Sequence, residues 1–174
     1  MRFLRSAPAD GGQSLLETAM TLPLLLGVTF NAINYAYFWF MVLILSAAPR
    51  QGVQYASQGG QALQVTSAPG TTAVSNLVYD NLTGSIGATN SNASVQVCSS
   101  SKGVNASTHV ALCDTFGPGY SFPAPAADPE APVFVLHRVD VAYTVNPIIP
   151  GTLFHVVLPS SLTFHRQVSM RSLY

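Results

Sequence analysis

Two hydrophobic rhythms run along the chain. Positions 18–49 form the first, thirty-two residues without a charge, most of them Leu, Ala, Val, Phe, Ile, Tyr or Trp. As a helix that stretch is about 48 Å long, against about 30 Å for a bilayer core. It is therefore long enough to span a membrane and to continue beyond it. A soluble-core helix would have to be apolar on every side for nearly nine turns.

After this run the period changes. "QGGQAL" and "TSAPGTT" (within 58–72) read as the end of the long helix and a turn. In "TAVSNLVYDNL" (72–82), Val74, Leu77, Val78 and Leu82 recur near helical spacing and predict a short amphipathic helix. "TGSIGATNSNAS" (83–94) reads as a polar loop, and "GPGYSFPAPAADPEAP" (117–132) as a Pro- and Gly-rich loop. "SVQVC" (94–98) and "HVALC" (109–113) suit short strands. "VFVLHRVDVAYTV" (133–145) gives the clearest strand, antiparallel and half-buried, with one face on the core. Val133, Val135, Val139, Val141, Tyr143 and Val145 take one face with His137, and Arg138, Asp140, Thr144 and Asn146 take the other. "NPIIPG" breaks it, and "LFHVVLP" (153–159) is a short apolar piece. "LTFHRQVSMRSLY" (162–174) alternates again, with Leu162, Phe164, Val168, Met170 and Tyr174 together. The pattern predicts an α+β protein: a long N-terminal transmembrane helix, then a small antiparallel β-sheet domain with a short helix.

Details of the long run refine the picture. Pro23 predicts a kink near residues 19–23. Asn31 and Asn34, three apart, share a helical face and are expected to point at a partner helix or a hydrated groove. "YAYFWF" (35–40) is an aromatic cluster suited to a membrane interface or to packing on neighbours. Arg2 and Arg5 precede the run, and only Arg50 follows closely. The positive-inside rule then favours a cytoplasmic N-terminus and an exported C-terminal domain. "SAA" (46–48) looks like a cleavage site for a secretory signal, but Pro49 follows it and the apolar stretch is far too long.

Composition excludes several function classes. Charged residues are 8% of the chain, against roughly 25% in ordinary soluble domains. Seven basic and seven acidic residues balance to zero, which gives no footprint for nucleic acid. No HExxH, paired-Cys or G-x-S-x-G context accompanies the four histidines or the serines, so neither a metal, a cofactor nor an enzymatic nucleophile is indicated. His137 is expected to be a hydrogen-bonded structural group. Asp128 and Glu130, in the Pro-rich loop, are expected to be solvated. The sequons at Asn81, Asn92 and Asn105 are expected by chance in such polar loops. Cys98 and Cys113 can form one disulfide if this part of the chain reaches an oxidising compartment. The bridge needs Cys113 near the end of the first strand, with 99–112 as the loop.

One charge stands at the mouth of the run. Glu17 follows "GQSLL" and opens a segment where a carboxylate is costly. The basic leader, Gly12, then Gln13-Ser14-Leu15-Leu16-Glu17 and an apolar helix resemble a prepilin-type signal. "GQSLLETAMTLPLLLGVTFNAINYAYFWF" followed by "SAAPRQGVQYAS" resembles the TadE-like family, minor pseudopilins of the tight-adherence (Tad) type IV pilus system. That family shows a GQSxxEF start, an LPLLL-G stretch, aromatics and an AAREGARYA-like helix end. Gly11, Gly12, Gln13, Glu17, Leu22, Pro23, Leu24, Gly27, Ala47, Ala48, Arg50, Gly52, Tyr55 and Ala56 carry the likeness, which is strong over about residues 11–57 and looser beyond. The chain departs at Thr18, where the family has an aromatic residue, and at Pro49, where the helix is expected to kink or stop.

The resemblance implies cleavage between Gly12 and Gln13, placing Glu17 fifth in the mature chain. It implies that Glu17 pairs with the N-terminal amine of a neighbouring subunit, an attraction strengthened in a low-dielectric setting and by the positive end of the helix's own dipole. The domains expected are a leader (1–12), a transmembrane pilin-like helix (13–62) and an exported α+β domain (63–174). The implied partners are the membrane, a prepilin peptidase, other pilins or pseudopilins, and the platform of the pilus motor. The implied location is the bacterial inner membrane, single-pass, with the C-terminal domain periplasmic or carried into the extracellular filament. The rival reading is an unprocessed single-pass membrane protein with a periplasmic binding or adhesive domain.

Overall fold

The computed structural model describes residues 10–62, 68–130, 133–149 and 159–173. The leader positions 1–9 and most of the 153–159 segment lie outside the described residues. Helix α1 runs Asp10–Ala62 and helix α2 runs Thr71–Ile86. Four strands follow: β1 Ala93–Cys98, β2 Cys113–Phe116, β3 Phe134–Val145 and β4 Leu162–Leu173. They form one antiparallel sheet in the order β2-β1-β3-β4. The α+β architecture expected from the two rhythms is the one found.

The chain divides into two compact units, Met1–Tyr37 with Pro147–Ser160, and Phe38–Asn146 with Ser161–Tyr174. The division falls inside α1, which remains helical through both Pro23 and Pro49. The expected alternative of a stop at Pro49 is therefore corrected. A proline in a helix interior removes one hydrogen bond, and here the packing of residues on both sides of Pro49 keeps the helix going: Ala48, Val53 and Ala56 are all in the core.

In the second unit, α2 and residues 38–57 of α1 lie on one face of the sheet. Leu45, Val53, Val74, Val78, Leu82, Val95, Val97, Val139 and Val141 make a single buried cluster, with Phe164, Val168 and Met170 at its margin. The register places Val97 opposite Val139, and Val139 opposite Val168, so the valines of β1, β3 and β4 meet on one face. Gly52 lets the helices approach. A Cβ there would sit 2.5 Å from Val78 and 3.5 Å from Val139.

The other face is set by topology. β2 and β3 both run antiparallel to β1 on its two sides, hence parallel to each other. The chain must therefore return the length of the sheet between them. Residues 117–130 do this across the face opposite the helices. The return starts at Gly117, where φ is +91° and a Cβ would lie 2.2 Å from the Ala93 carbonyl oxygen, a position only glycine tolerates. Tyr120 N–H then donates to Ser94 Oγ at 3.2 Å, and the Pro123 carbonyl accepts from Arg138 at 2.7 Å.

This strap corrects two expectations. Arg138 and Asp140 do occupy the face opposite the valines, but they are buried, at 4% and 0% exposure. Asp128, expected to be solvated, is also buried and accepts from Arg171 at 2.9 and 3.2 Å. Alternation alone shows which residues share a face; it does not show that a loop will cover the polar one. A third correction concerns residues 109–113. The Asn105 carboxamide oxygen accepts from Ser107 and Thr108 N–H, and His109 takes φ +53°. The backbone is still turning there, and the strand starts only at Cys113. A fourth is at residues 83–86, which extend α2 by one turn before Gly87, at φ +68°, ends it.

Candidate functional site

The residues singled out by sequence fall in different units. Gly12 and Glu17 lie near the start of α1, in the first unit, and Cys98 and Cys113 in the second. The Gly12–Gln13 bond is within α1. Gly12 is exposed, with no atom within 4 Å of a Cβ built on it. The side chain of Gln13 lies outside the described residues. Glu17 is exposed two turns into the helix.

Residues 14–33 have no buried member. Leu15, Met20 and Leu24 are 74%, 75% and 69% exposed, and Leu16, Leu22, Leu25 and Val28 are exposed with them. Most of the apolar side chains thus point outward, with Phe30 half-buried. Several polar side chains among them bond back to the helix. Thr18 Oγ donates to the Ser14 carbonyl at 2.9 Å, Thr21 to Glu17 at 3.0 Å and Thr29 to Leu25 at 2.8 Å. Asn31 Nδ2 donates to the Gly27 carbonyl at 2.8 Å. A segment surrounded by hydrocarbon is expected to satisfy its polar groups internally; the three threonine hydroxyls and the Asn31 Nδ2 do so, whereas the buried Asn31 Oδ1 has no hydrogen-bond partner among the described residues. Over Ser14–Ser57, α1 is long and apolar enough to cross a membrane.

From Asn34 the pattern changes. Asn34, Phe38, Met41, Leu45, Ala48, Gly52 and Ala56 are buried at intervals of three or four, which is one helical face. Asn34, fully buried, takes an unexpected partner. Its Oδ1 accepts from Ile149 N–H at 3.0 Å and its Nδ2 donates to the Ile149 carbonyl at 3.2 Å. The expectation that both asparagines face a partner helix or a hydrated groove is not met at Asn34, which holds a backbone of its own chain. Nothing local in the sequence indicates a partner 115 positions away.

In the second unit, Cys98 and Cys113 are directly opposite across β1 and β2 and form a disulfide. They are placed as the loop argument required. Nearby, His137 is 1% exposed, with Nδ1 3.2 Å from Ser99 Oγ and Nε2 2.8 Å from Ser172 Oγ. Burial pushes its pKa below the usual histidine value. This is the structural role the sequence suggested. On the strap side, Asp140 pairs with Arg138 and accepts from His165 Nε2 at 2.8 Å. The hydrogen bond from Lys102, with another from Thr71, holds Asp114 below the ordinary carboxylate range. The Arg171 guanidinium does the same for Asp128. These groups are paired for structure. The signal that sequence reasoning missed was a pair of opposite charges two apart on one strand face, beside a Pro-rich segment long enough to cover them.

A shallow cleft of about 210 Å³ opens beside the strap, between Ser94, Tyr120, Thr144 and Thr163. Among the described residues, no carboxylate, histidine or cysteine lines it. Among the described residues, no three His, Cys, Asp or Glu side chains gather to hold a metal ion. Comparison of the chain with protein-family models, with curated proteins and with solved structures finds no match.

Proposed function

We propose that the chain is a membrane-anchored structural subunit of the TadE-like pseudopilin kind, without catalysis of its own, that primes or joins a Tad-type filament. The observation that carries this reading is the largely exposed apolar stretch at residues 14–33, opened by Gly12 and Glu17 and continuous with a helix half packed on a small sheet. A bare helix of this kind has two natural environments, lipid before assembly and the helices of neighbouring subunits afterwards. Its threonine hydroxyls and the Asn31 Nδ2, bonded back to the helix, suit both. Glu17 supplies the one charge that can select a partner there. The resemblance gives that partner as the amine freed by cleavage before Gln13. In this reading residues 14–33 cross the inner membrane from a cytoplasmic N-terminus, and the disulfide-bonded unit forms in the oxidising periplasm.

The test is the mature N-terminus, read by mass spectrometry from membrane-extracted protein. The expected chain starts at Gln13, and a Gly12→Ala change should block that processing. Glu17→Ala should leave cleavage intact and reduce crosslinking to other pilin subunits. A chain that keeps Met1 in cells with an active prepilin peptidase would replace this reading with an unprocessed single-pass protein carrying a periplasmic binding domain.

A further inference from the structure

We propose that residues 147–149 form a second lipid contact, docked by Asn34 at the membrane interface far from the N-terminus. The inference rests on the reading of residues 14–33 as a membrane span and adds an element to it. Those twenty residues rise about 30 Å as a helix, the thickness of a bilayer core. Asn34 is therefore the first residue past the far edge of the hydrocarbon. Tyr35 and Trp39 follow it at 61% and 58% exposure, and these side chains favour that level of a membrane.

Backbone that is neither helix nor sheet is tolerated near hydrocarbon only where its N–H and C=O groups find partners within the protein. The Asn34 carboxamide gives Ile149 both, at 3.0 and 3.2 Å, from a fully buried position. That leaves the adjacent Ile148 side chain, 57% exposed, free to enter lipid. The preceding residue, Pro147, has no N–H to satisfy. The surrounding sequence agrees, since residues 141–165 contain no Asp, Glu, Lys or Arg. An uncharged stretch is thus pinned to the charge-free run of α1 by a side chain that pairs both backbone groups of Ile149. The occupant of this surface is the interfacial region of the bilayer itself.

The chain has a single tryptophan, Trp39, so a movable probe is available. Full-length protein carrying Trp39→Phe is placed in vesicles of phosphatidylethanolamine and phosphatidylglycerol containing brominated lipid, with a new tryptophan at Ile148→Trp or, as a control within the span, at Leu24→Trp. The Ile148→Trp protein should be quenched most by lipids brominated close to the headgroup, and the Leu24→Trp protein by lipids brominated near the chain ends. Adding Asn34→Leu should cut the quenching at position 148 by more than half and leave that at position 24 unchanged. Quenching at 24 with none at 148 would overturn the proposal and leave the span standing. Absence of quenching at both would overturn the two together. Quenching at 148 that Asn34→Leu does not alter would remove the clamp from the proposal.

Discussion

Residues 14–33 and residues 34–57 belong to one helix and are similarly apolar, yet they treat their side chains in opposite ways. The first stretch exposes most of them and turns its threonine hydroxyls and the Asn31 Nδ2 inward to its own carbonyls. The second buries a residue every three or four positions, and within the second unit Leu45, Val53 and Ala56 join the core that α2 and the sheet complete. Apolar content is thus no guide to what a helix packs against. Periodicity is: the first stretch buries no face, and the second buries one and turns Arg50, Gln51 and Gln54 out on another.

The strongest way to break this contrast is truncation at matched positions. Leu45 is 1% exposed in the core and Leu25 is 59% exposed on the bare stretch. Leu45→Ala should lower unfolding stability by about 2–5 kcal/mol, as cavity-forming leucine changes do. Leu25→Ala should leave the same thermal or denaturant transition in place, measured in detergent by near-UV circular dichroism. An equal loss at both positions would mean that residues 14–33 are a packed element after all.

The disulfide comes next in size. In the chain-entropy view, closing a loop of this length is worth about 3 kcal/mol. Reduction should therefore move the denaturant midpoint of the second unit well down, while far-UV helicity from residues 14–33 persists. Two thiols open to alkylation before reduction would contradict the bridge and the oxidising location proposed for it.

Much of this contrast could be read in advance. The charge-free run, the amphipathic α2, the alternation in β3 and β4, and the placing of Cys113 opposite the end of β1 all follow from local spacing. What could not be read depends on distant parts of the chain. Arg138 and Asp140 look like a solvated strand face until the β2-to-β3 return is known to cross it. Asn34 looks like a helix-packing residue until Ile149 arrives. His109 lies in an apparent strand, and the turn that Asn105 builds there outweighs its neighbours' preference.

A finer comparison uses two glycines of α1. Gly52 has Val78 within 2.5 Å of where a Cβ would be, and Gly27 has nothing within 4 Å. Gly52→Ala should destabilise by about 1–3 kcal/mol through overpacking. Gly27→Ala should be neutral or favourable by up to about 1 kcal/mol, the helix-propensity difference. Opposite signs at two glycines of one helix, read from thermal midpoints in the same detergent, would sharpen the division. Like signs would erase it.

The smallest expected effect is that of mild acid, and it separates the two stretches cleanly. Burial between Ser99 and Ser172 lowers the pKa of His137 from its ordinary 6.5. Below that value the unfolded chain takes up a proton that the folded chain does not, so stability falls as pH falls. Asp114, held low first by its hydrogen bond from Lys102, and Asp128, held low first by that from Arg171, add a further loss only as pH drops below the ordinary 3.8. The denaturant midpoint of the second unit should therefore decline modestly between pH 7 and 5.5, roughly the window where an ordinary histidine titrates, and steeply in the carboxylate range. His137→Gln, which keeps hydrogen-bonding groups for the two serines, should flatten the upper part of that curve and leave the lower part. Residues 18–33 contain no titratable side chain. Lipid quenching of a Leu24→Trp reporter should accordingly stay constant over the upper window while the packed unit weakens. A midpoint that rises on acidification to pH 5.5, or a slope there that survives His137→Gln, would assign the upper transition to another group and leave the buried imidazole as a packing feature alone.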